Sequence, residues 1–141
     1  MYTATGKHAL GTCLTELFQE SRPIYSGTGG PVFVIFEIKS AVTLLDLSGI
    51  FATRIGASAA AFSSGARSIT RDWSMSLYEA YKDIDGILYG SSMYANYPAI
   101  ALFEMAQGVL PTHPDLHRQL SDPAMKTDLL DISTKMGYGF L

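Results

Sequence analysis

Apolar and polar positions along the chain follow two spacings, one typical of helices and one typical of strands. Apolar residues at positions 9, 10, 13, 14, 17 and 18 recur at helical spacing and predict an amphipathic helix over about residues 8–20. Residues 32–39 place Val32 and Val34 on one face and become polar toward their end, which predicts a strand. Residues 42–47 predict a second strand after a short link.

A second helical stripe lies further along the chain. Apolar residues at positions 73, 77, 80, 81 and 84 predict a helix, and Thr70 or Asp72 can cap its start. Asp85-Gly86 ends that helix and opens a short strand over residues 87–89. Residues 99–105 are apolar and fit either a strand or a helix.

Two further segments are interpreted from composition and from turn residues. Residues 57–66 are rich in alanine, serine and glycine and fit either a helix or an irregular loop. Asp122-Pro123 is typical of an N-cap followed by proline at the first helical position, and predicts a helix to about residue 130. Strands and helices thus interleave without a regular βαβ order, which predicts one mixed α/β (α+β) domain over residues 1–141.

Composition narrows the class of protein. Of the 141 residues, 48% are hydrophobic and 16% are charged, which is typical of a globular domain rather than a disordered chain. The net charge of −3, without a basic run, argues against direct binding of nucleic acid. Cys13 is the one cysteine, which suits a reducing compartment. With neither a leader-like start nor a membrane-length apolar run, the sequence predicts a cytoplasmic location.

Glu16 is the first candidate for chemistry. On a helical wheel it falls beside Ala9, at the margin of the apolar stripe rather than opposite it. A carboxylate at that margin can point into a cleft and stabilise positive charge that develops on a substrate. A solvated glutamate such as Glu20 would have no such role, and spacing alone leaves both interpretations open.

Ser91 and Ser92 directly follow the strand predicted over residues 87–89. Ligands are often bound where strands end, so these hydroxyls can donate to a phosphate or a sugar. They are equally suited to a simple turn. The pattern Gly-x-Ser-x-Gly is absent, so the sequence does not indicate a hydrolase nucleophile elbow.

Tyrosines and histidines give weaker signals. The chain has eight tyrosines, and Tyr2 and Tyr89 are the two best placed for stacking on a nicotinamide or an adenine, although such rings also fill core edges. His113 and His117 are four residues apart, but the glutamate of a His-Glu-x-x-His motif is missing. We therefore expect no metal site there, and Pro114 is interpreted as a helix start.

Several stretches, taken in their order along the chain, resemble one known family. Together they cover most of the sequence, and the most specific of them is the Asp-Gly-Ile-x-Tyr-x-Ser run. The resemblance is to the RES domain, the toxin half of bacterial Res–Xre toxin–antitoxin pairs. The matching stretches are Tyr2-Thr3-Ala4, residues 9–16, Leu44-Leu45-Asp46-Leu47, Thr70-Arg71-Asp72-Trp73, Asp85-Gly86-Ile87-Leu88-Tyr89-Gly90-Ser91, Ala101-Leu102-Phe103 and Met136-Gly137-Tyr138.

The resemblance implies a fold, an activity and a set of site residues. Members of the family consume NAD by breaking the nicotinamide–ribose bond, through phosphorolysis or hydrolysis, on a fold related to ADP-ribosyltransferases. The family's glutamate falls on Glu16, which would stabilise an oxocarbenium-like sugar. Its serine falls on Ser91, which would bind a phosphate of NAD or the attacking inorganic phosphate. Tyr2 and Tyr89 would line the NAD pocket, and no metal is implied.

The chain departs from the family pattern at two positions. The family's arginine lies upstream of the Tyr-x-Ala segment, whereas this chain begins at Met1-Tyr2. Many relatives carry an arginine where this chain has Ser92. An arginine fork suits a pyrophosphate, so its loss is expected to weaken substrate binding. A truncated chain, an incorrectly assigned start and a degenerate, inactive member all fit this departure.

The resemblance also implies partners and leaves alternative functions open. The expected partner is a cognate Xre-type antitoxin, which would supply the DNA contacts, and a homo-oligomer is compatible with the sequence. A catalytically inactive module that still binds such an antitoxin is the first alternative. Transfer of ADP-ribose to a protein target, with the same residues, is the second.

Overall fold

The computed structural model describes residues 1–27, 29–57 and 67–141, without the side chains of Tyr2 and of residues 67–70. Contacts between Cα atoms divide the chain into two units. Unit 1 comprises Met1–Glu16 and Ala41–Val109, and unit 2 comprises Leu17–Ser40 and Leu110–Leu141. Strands and helices occur together, so the predicted mixed α/β class is confirmed. The single domain over residues 1–141 stays a prediction.

The strands and helices have the following bounds. The strands are β1 (Tyr2–Ala4), β2 (Val32–Ile35), β3 (Leu44–Asp46), β4 (Gly86–Gly90), β5 (Pro98–Leu102) and β6 (Leu116–Gln119). The α-helices are α1 (Ala9–Leu17), Phe51–Arg54, Arg67–Ala80 and Lys126–Met136. Two 3-10 helices lie at Glu104–Val109 and Pro123–Met125.

Unit 1 contains a four-stranded mixed sheet in the order β1-β5-β4-β3. β1 pairs antiparallel with β5, and β5 pairs antiparallel with β4. β3 pairs parallel with β4, with Leu45 opposite Ile87. A parallel pair requires a long crossover, and the chain between these two strands includes the helices Phe51–Arg54 and Arg67–Ala80.

The core of unit 1 is formed against this sheet. Ile87 and Tyr89, two residues apart on β4, are both buried in one cluster with Leu77 of the helix Arg67–Ala80. Gly86 is required at the start of β4, because a Cβ there would meet the carbonyl oxygen of Ala101 on the neighbouring strand. The pairing of β4 with β5 therefore sets the position at which the residues after Gly90 leave the sheet.

Unit 2 contains the antiparallel pair β2–β6, in which Val32 lies opposite Gln119. Asp122 caps the helical segment that follows, since its Oδ1 accepts a hydrogen bond from the Ala124 amide at 2.8 Å. The N-cap predicted at this position is therefore confirmed. The helix continues to Met136, beyond its predicted end near residue 130, and is closed by Gly137, whose φ of 63° is left-handed.

Several predicted bounds were wrong for local physical reasons. β2 ends at Ile35 rather than residue 39, because continuing its register with β6 would place Glu37 opposite Pro114, which has no N–H to donate. Val32 and Val34 are exposed rather than core residues. The predicted helix at Pro114 is absent, and the strand β6 begins two residues later.

The helix before β4 begins earlier than predicted. It starts at Arg67, so Thr70 and Asp72 lie inside the helix and cannot cap its start. It ends at Ala80, so Asp85-Gly86 does not end it, contrary to the prediction. The apolar stripe, which begins at Trp73, therefore did not mark the start of this helix. The ambiguous residues 99–105 form β5 and the beginning of a 3-10 helix. The interpretation of residues 57–66 falls, from residue 58 onward, outside the described residues.

Candidate active site

Glu16 lies near the C-terminal end of α1, on the side of the helix that also carries Thr12, and His8 lies just before the helix begins. These three residues are spaced four apart, which places them along one face. Thr12 is buried, and its hydroxyl donates a hydrogen bond to the His8 carbonyl at 3.1 Å. The Thr12 hydroxyl is therefore satisfied by the backbone. Glu16 itself is half-buried. Its carboxylate therefore lies between the packed interior of unit 1 and its surface.

Ser91 follows the last residue of β4 and is a hydrogen-bond partner of that carboxylate. Its Oγ donates a hydrogen bond to Glu16 Oε1 at 2.6 Å, across 75 positions of sequence. The same Oγ accepts a hydrogen bond from the Met93 amide at 3.3 Å. The Ser91 side chain is 0% exposed. Its hydroxyl acts on Glu16 in this arrangement and is not presented to solvent.

Tyr89 contributes a second hydroxyl to the same carboxylate. It lies two residues before Ser91, so both side chains project from the same side of the chain. The Tyr89 hydroxyl is 3.5 Å from Glu16 Oε2, at the outer limit of a hydrogen bond, while Ser91 contacts Oε1. One hydroxyl thus faces each carboxylate oxygen, which restricts the rotation of the carboxylate plane.

Cys13 lies one helical turn before Glu16 and senses its charge. Burial raises the pKa of the Cys13 thiol above its ordinary value, and the negative charge of Glu16 raises that pKa further. A thiol with a raised pKa is a weak nucleophile at neutral pH. Cys13 is therefore a neutral neighbour of the carboxylate.

A loop between β4 and β5, residues 91–97, contacts the N-terminal part of α1 through aromatic rings. The His8 and Tyr97 rings are stacked, with centroids 3.9 Å apart and planes at 23°. Tyr94 lies edge-on to His8 at 6.0 Å and 5.2 Å from Tyr97. A Cβ at Gly11 would lie 2.6 Å from the Tyr94 ring. This aromatic cluster consists of His8, Tyr94 and Tyr97.

The structure brings together three of the four residues singled out by sequence. Glu16, Ser91 and Tyr89 meet at one carboxylate. Tyr2 is in β1, with its backbone opposite Ala101; its side chain, and so its predicted place in the pocket wall, lies outside what the structure describes.

The other polar residues considered from sequence are all exposed. Ser92 is on the loop after β4, and Arg71 is within the helix Arg67–Ala80. His113 and His117 belong to unit 2, where His117 is in a strand and not on a helical face. The hydrogen bonds to Glu16 described above come instead from Ser91 and Tyr89.

Sequence reasoning missed the aromatic cluster, Gly11 and Cys13. The spacing of four from His8 through Thr12 to Glu16 was the available signal for a shared face. Nothing in the local pattern distinguished Tyr94 and Tyr97 from the other tyrosines, because their importance comes from a loop that returns to α1.

Comparison of the chain with models of known families, with curated proteins and with solved structures found no match. Over the residues that the structure describes, His, Cys, Asp and Glu side chains do not gather in threes at a point where they could hold a metal ion. Within the same residues, every helix is too short or too polar to cross a bilayer. The candidate site is therefore argued from its own geometry.

Proposed function

We propose that this chain is a RES-type enzyme that cleaves the bond between nicotinamide and ribose in NAD. The observation that carries the proposal is the Glu16 carboxylate, half-buried and held at 2.6 Å by a buried serine hydroxyl from a distant part of the sequence. A carboxylate restrained in this way can stabilise a cation without first reorganising. The pairing of Glu16 with Ser91 is also the pairing that the family resemblance implies.

The proposed chemistry needs a negative charge next to the sugar. As the C1–N bond breaks, its electron pair moves to the nicotinamide ring nitrogen, which becomes neutral. The ribose C1 gains positive charge and shares it with the ring oxygen, and the carboxylate of Glu16 stabilises this oxocarbenium-like state. An oxygen of inorganic phosphate, or of water with loss of a proton, then forms the new bond to C1.

In this proposal Ser91 acts first on Glu16. Its only hydroxyl proton is directed at Oε1, and its side chain is 0% exposed. Direct contact between Ser91 and a phosphate of NAD would require the hydroxyl to become exposed. Tyr89, with its hydroxyl at 3.5 Å from Oε2, supports the other oxygen. NAD is the substrate, and inorganic phosphate is the proposed co-substrate.

The finer fold assignment and the partner belong to the same proposal. An ADP-ribosyltransferase-like fold is supported by the mixed sheet of unit 1, from which β4 brings Tyr89 and Ser91 to a helix-borne glutamate. A cytoplasmic toxin of this type would be held inactive by a cognate Xre-type antitoxin. Mixing the chain with such an antitoxin and measuring both complex formation and NAD loss would test the partnership.

The enzyme proposal is tested by release of nicotinamide from NAD, with and without inorganic phosphate, followed by chromatography. Glu16→Gln keeps the size of the side chain but removes its charge, and should lower kcat by about 100-fold or more. Glu79→Gln is the matched control, because it makes the same change of charge at an exposed glutamate of the helix Arg67–Ala80. A Glu16→Gln variant as active as the parent, or a folded parent that releases no nicotinamide, would overturn the proposal.

One observation favours a second candidate, an inactive module that retains only binding of the antitoxin. The Ser91 hydroxyl is committed to Glu16 and is buried, so the arrangement is also that of a closed structural hydrogen bond. This candidate predicts a stable complex with the antitoxin, no NAD turnover, and no effect of Glu16→Gln on the affinity of the complex.

A further inference from the structure

We infer that Gly11 and the aromatic cluster of His8, Tyr94 and Tyr97 form a clamp that positions Ser91 against Glu16. The kinetic part of this inference rests on the proposed function, whereas its structural part does not. The residues of the clamp touch neither carboxylate oxygen in the described contacts, so they are positioning residues rather than catalytic ones.

Residues 91–97 form a loop that is closed by hydrogen bonds between its own backbone groups. The Ser91 amide donates to the Tyr97 carbonyl at 2.9 Å, and the Asn96 amide donates to the Ser91 carbonyl at 3.0 Å. Ala95 and Asn96 have left-handed φ values of 46° and 59°, which a tight reversal of the chain requires. Because a backbone hydrogen bond joins Ser91 to Tyr97 where the loop closes, movement of the loop would be transmitted to Ser91.

Two rings attach this loop to α1. Tyr97 stacks on His8 at 3.9 Å, and Tyr94 covers the helix where Gly11 has no side chain. A Cβ at Gly11 would lie 2.6 Å from one ring carbon of Tyr94 and 2.9 Å from its hydroxyl oxygen, both closer than real contacts allow. Glycine destabilises a helix relative to alanine. Alanine at position 11 would therefore require the Tyr94 ring to move.

The same helix carries Glu16. Gly11 and Glu16 are five residues apart, which is about 7.5 Å of helix rise. The rings of Tyr94 and Tyr97 therefore hold the loop against the helix. Ser91, at the start of the loop, then lies with its Oγ at 2.6 Å from the Glu16 carboxylate. Loss of the clamp should release this hydrogen bond while α1 and the sheet remain folded.

The test compares Gly11→Ala, Tyr94→Ala and Tyr94→Phe by amide hydrogen exchange, measured residue by residue by NMR. The reporter is the Met93 amide, which donates to Ser91 Oγ. The reference is the Leu47 amide, which donates to the Leu88 carbonyl within the sheet. Gly11→Ala and Tyr94→Ala should each raise the exchange rate of Met93 by about tenfold or more relative to Leu47. Tyr94→Phe keeps the ring and should leave both rates unchanged.

The same variants separate positioning from a general loss of stability. Release of the Ser91–Glu16 hydrogen bond lowers stability, but alanine favours a helix and offsets part of this loss. Gly11→Ala should therefore lower the melting temperature by no more than Ser91→Ala does, while kcat for NAD cleavage falls by about tenfold and KM changes little. Tyr94→Phe should restore the parent kcat. Unchanged Met93 exchange in both Gly11→Ala and Tyr94→Ala overturns the inference, even for a parent that cleaves NAD. Raised Met93 exchange supports it even for a parent that does not.

Discussion

Removing the hydroxyl of Ser91 should cost the protein measurable stability. A hydrogen bond to a charged group contributes about 1.5–3 kcal/mol. Ser91 is 0% exposed, but Glu16 is half-buried and can recruit water when its partner is lost. We therefore expect Ser91→Ala to lower the free energy of unfolding by about 1–2 kcal/mol.

A double-mutant cycle isolates this bond from other effects of the substitutions. Urea unfolding of the parent, Ser91→Ala, Glu16→Ala and the double variant gives the coupling between the two side chains. The 2.6 Å contact predicts a coupling of about 1–2 kcal/mol. Ser92→Ala should change the free energy of unfolding by less than about 0.5 kcal/mol and show no coupling to Glu16.

A small coupling would refute this reasoning. If the two substitutions add within about 0.3 kcal/mol, the hydrogen bond is not formed in solution. The structural basis of the candidate site would then be lost, whatever the activity of the chain. A coupling of the expected size, with the control unaffected, would establish that the carboxylate is restrained by the serine before any substrate binds.

Three further predictions concern the sheet, a helix cap and the thiol. Gly86→Ala should lower the free energy of unfolding by about 1–3 kcal/mol, because its Cβ would strike the backbone of β5. Gly108→Ala, where a Cβ has no heavy atom within 4 Å, is the control in urea unfolding. Asp122→Ala should cost about 0.5–2 kcal/mol in the same assay, and Asp122→Asn should recover most of it. The pKa of Cys13 is raised by burial and by Glu16, so alkylation should have its midpoint above the ordinary thiol range. Glu16→Gln should move that midpoint to lower pH, and an unchanged midpoint would contradict the contact.

The elements with the strongest periodicity or end signals were predictable. The first helix begins within one residue of its predicted start but ends at Leu17 rather than at about residue 20. The Asp122 cap is where the sequence placed it, and β4 differs by one residue at each end. Pairing was not predictable, because a strand pattern specifies which face is apolar and not which strand lies beside it. Thus β3, which follows β2 closely in sequence, pairs with β4, and β2 pairs with β6.

The candidate site, like the fold, was predictable only in part from the sequence. Glu16, Tyr89 and Ser91 were singled out from their types, positions and family resemblance, and the structure brings them together. The loop that returns Tyr94 and Tyr97 to α1 was not visible, because it depends on contacts between parts of the chain more than 80 residues apart. Helical spacing could show that His8 shares a face with Glu16, but not what would cover that face.

The partners of strand β1 and of the Glu16 carboxylate, β5 and Ser91, are synthesised much later in the chain. Among the described strands, β1 pairs with β5, and Ser91 follows Glu16 by 75 positions. At about 5–20 residues per second, a ribosome needs about 4–15 s to cover that interval. During this time the nascent chain carries the glutamate without the serine that orients it. A reaction that needs both side chains therefore cannot occur until Ser91 has been synthesised and has left the ribosome.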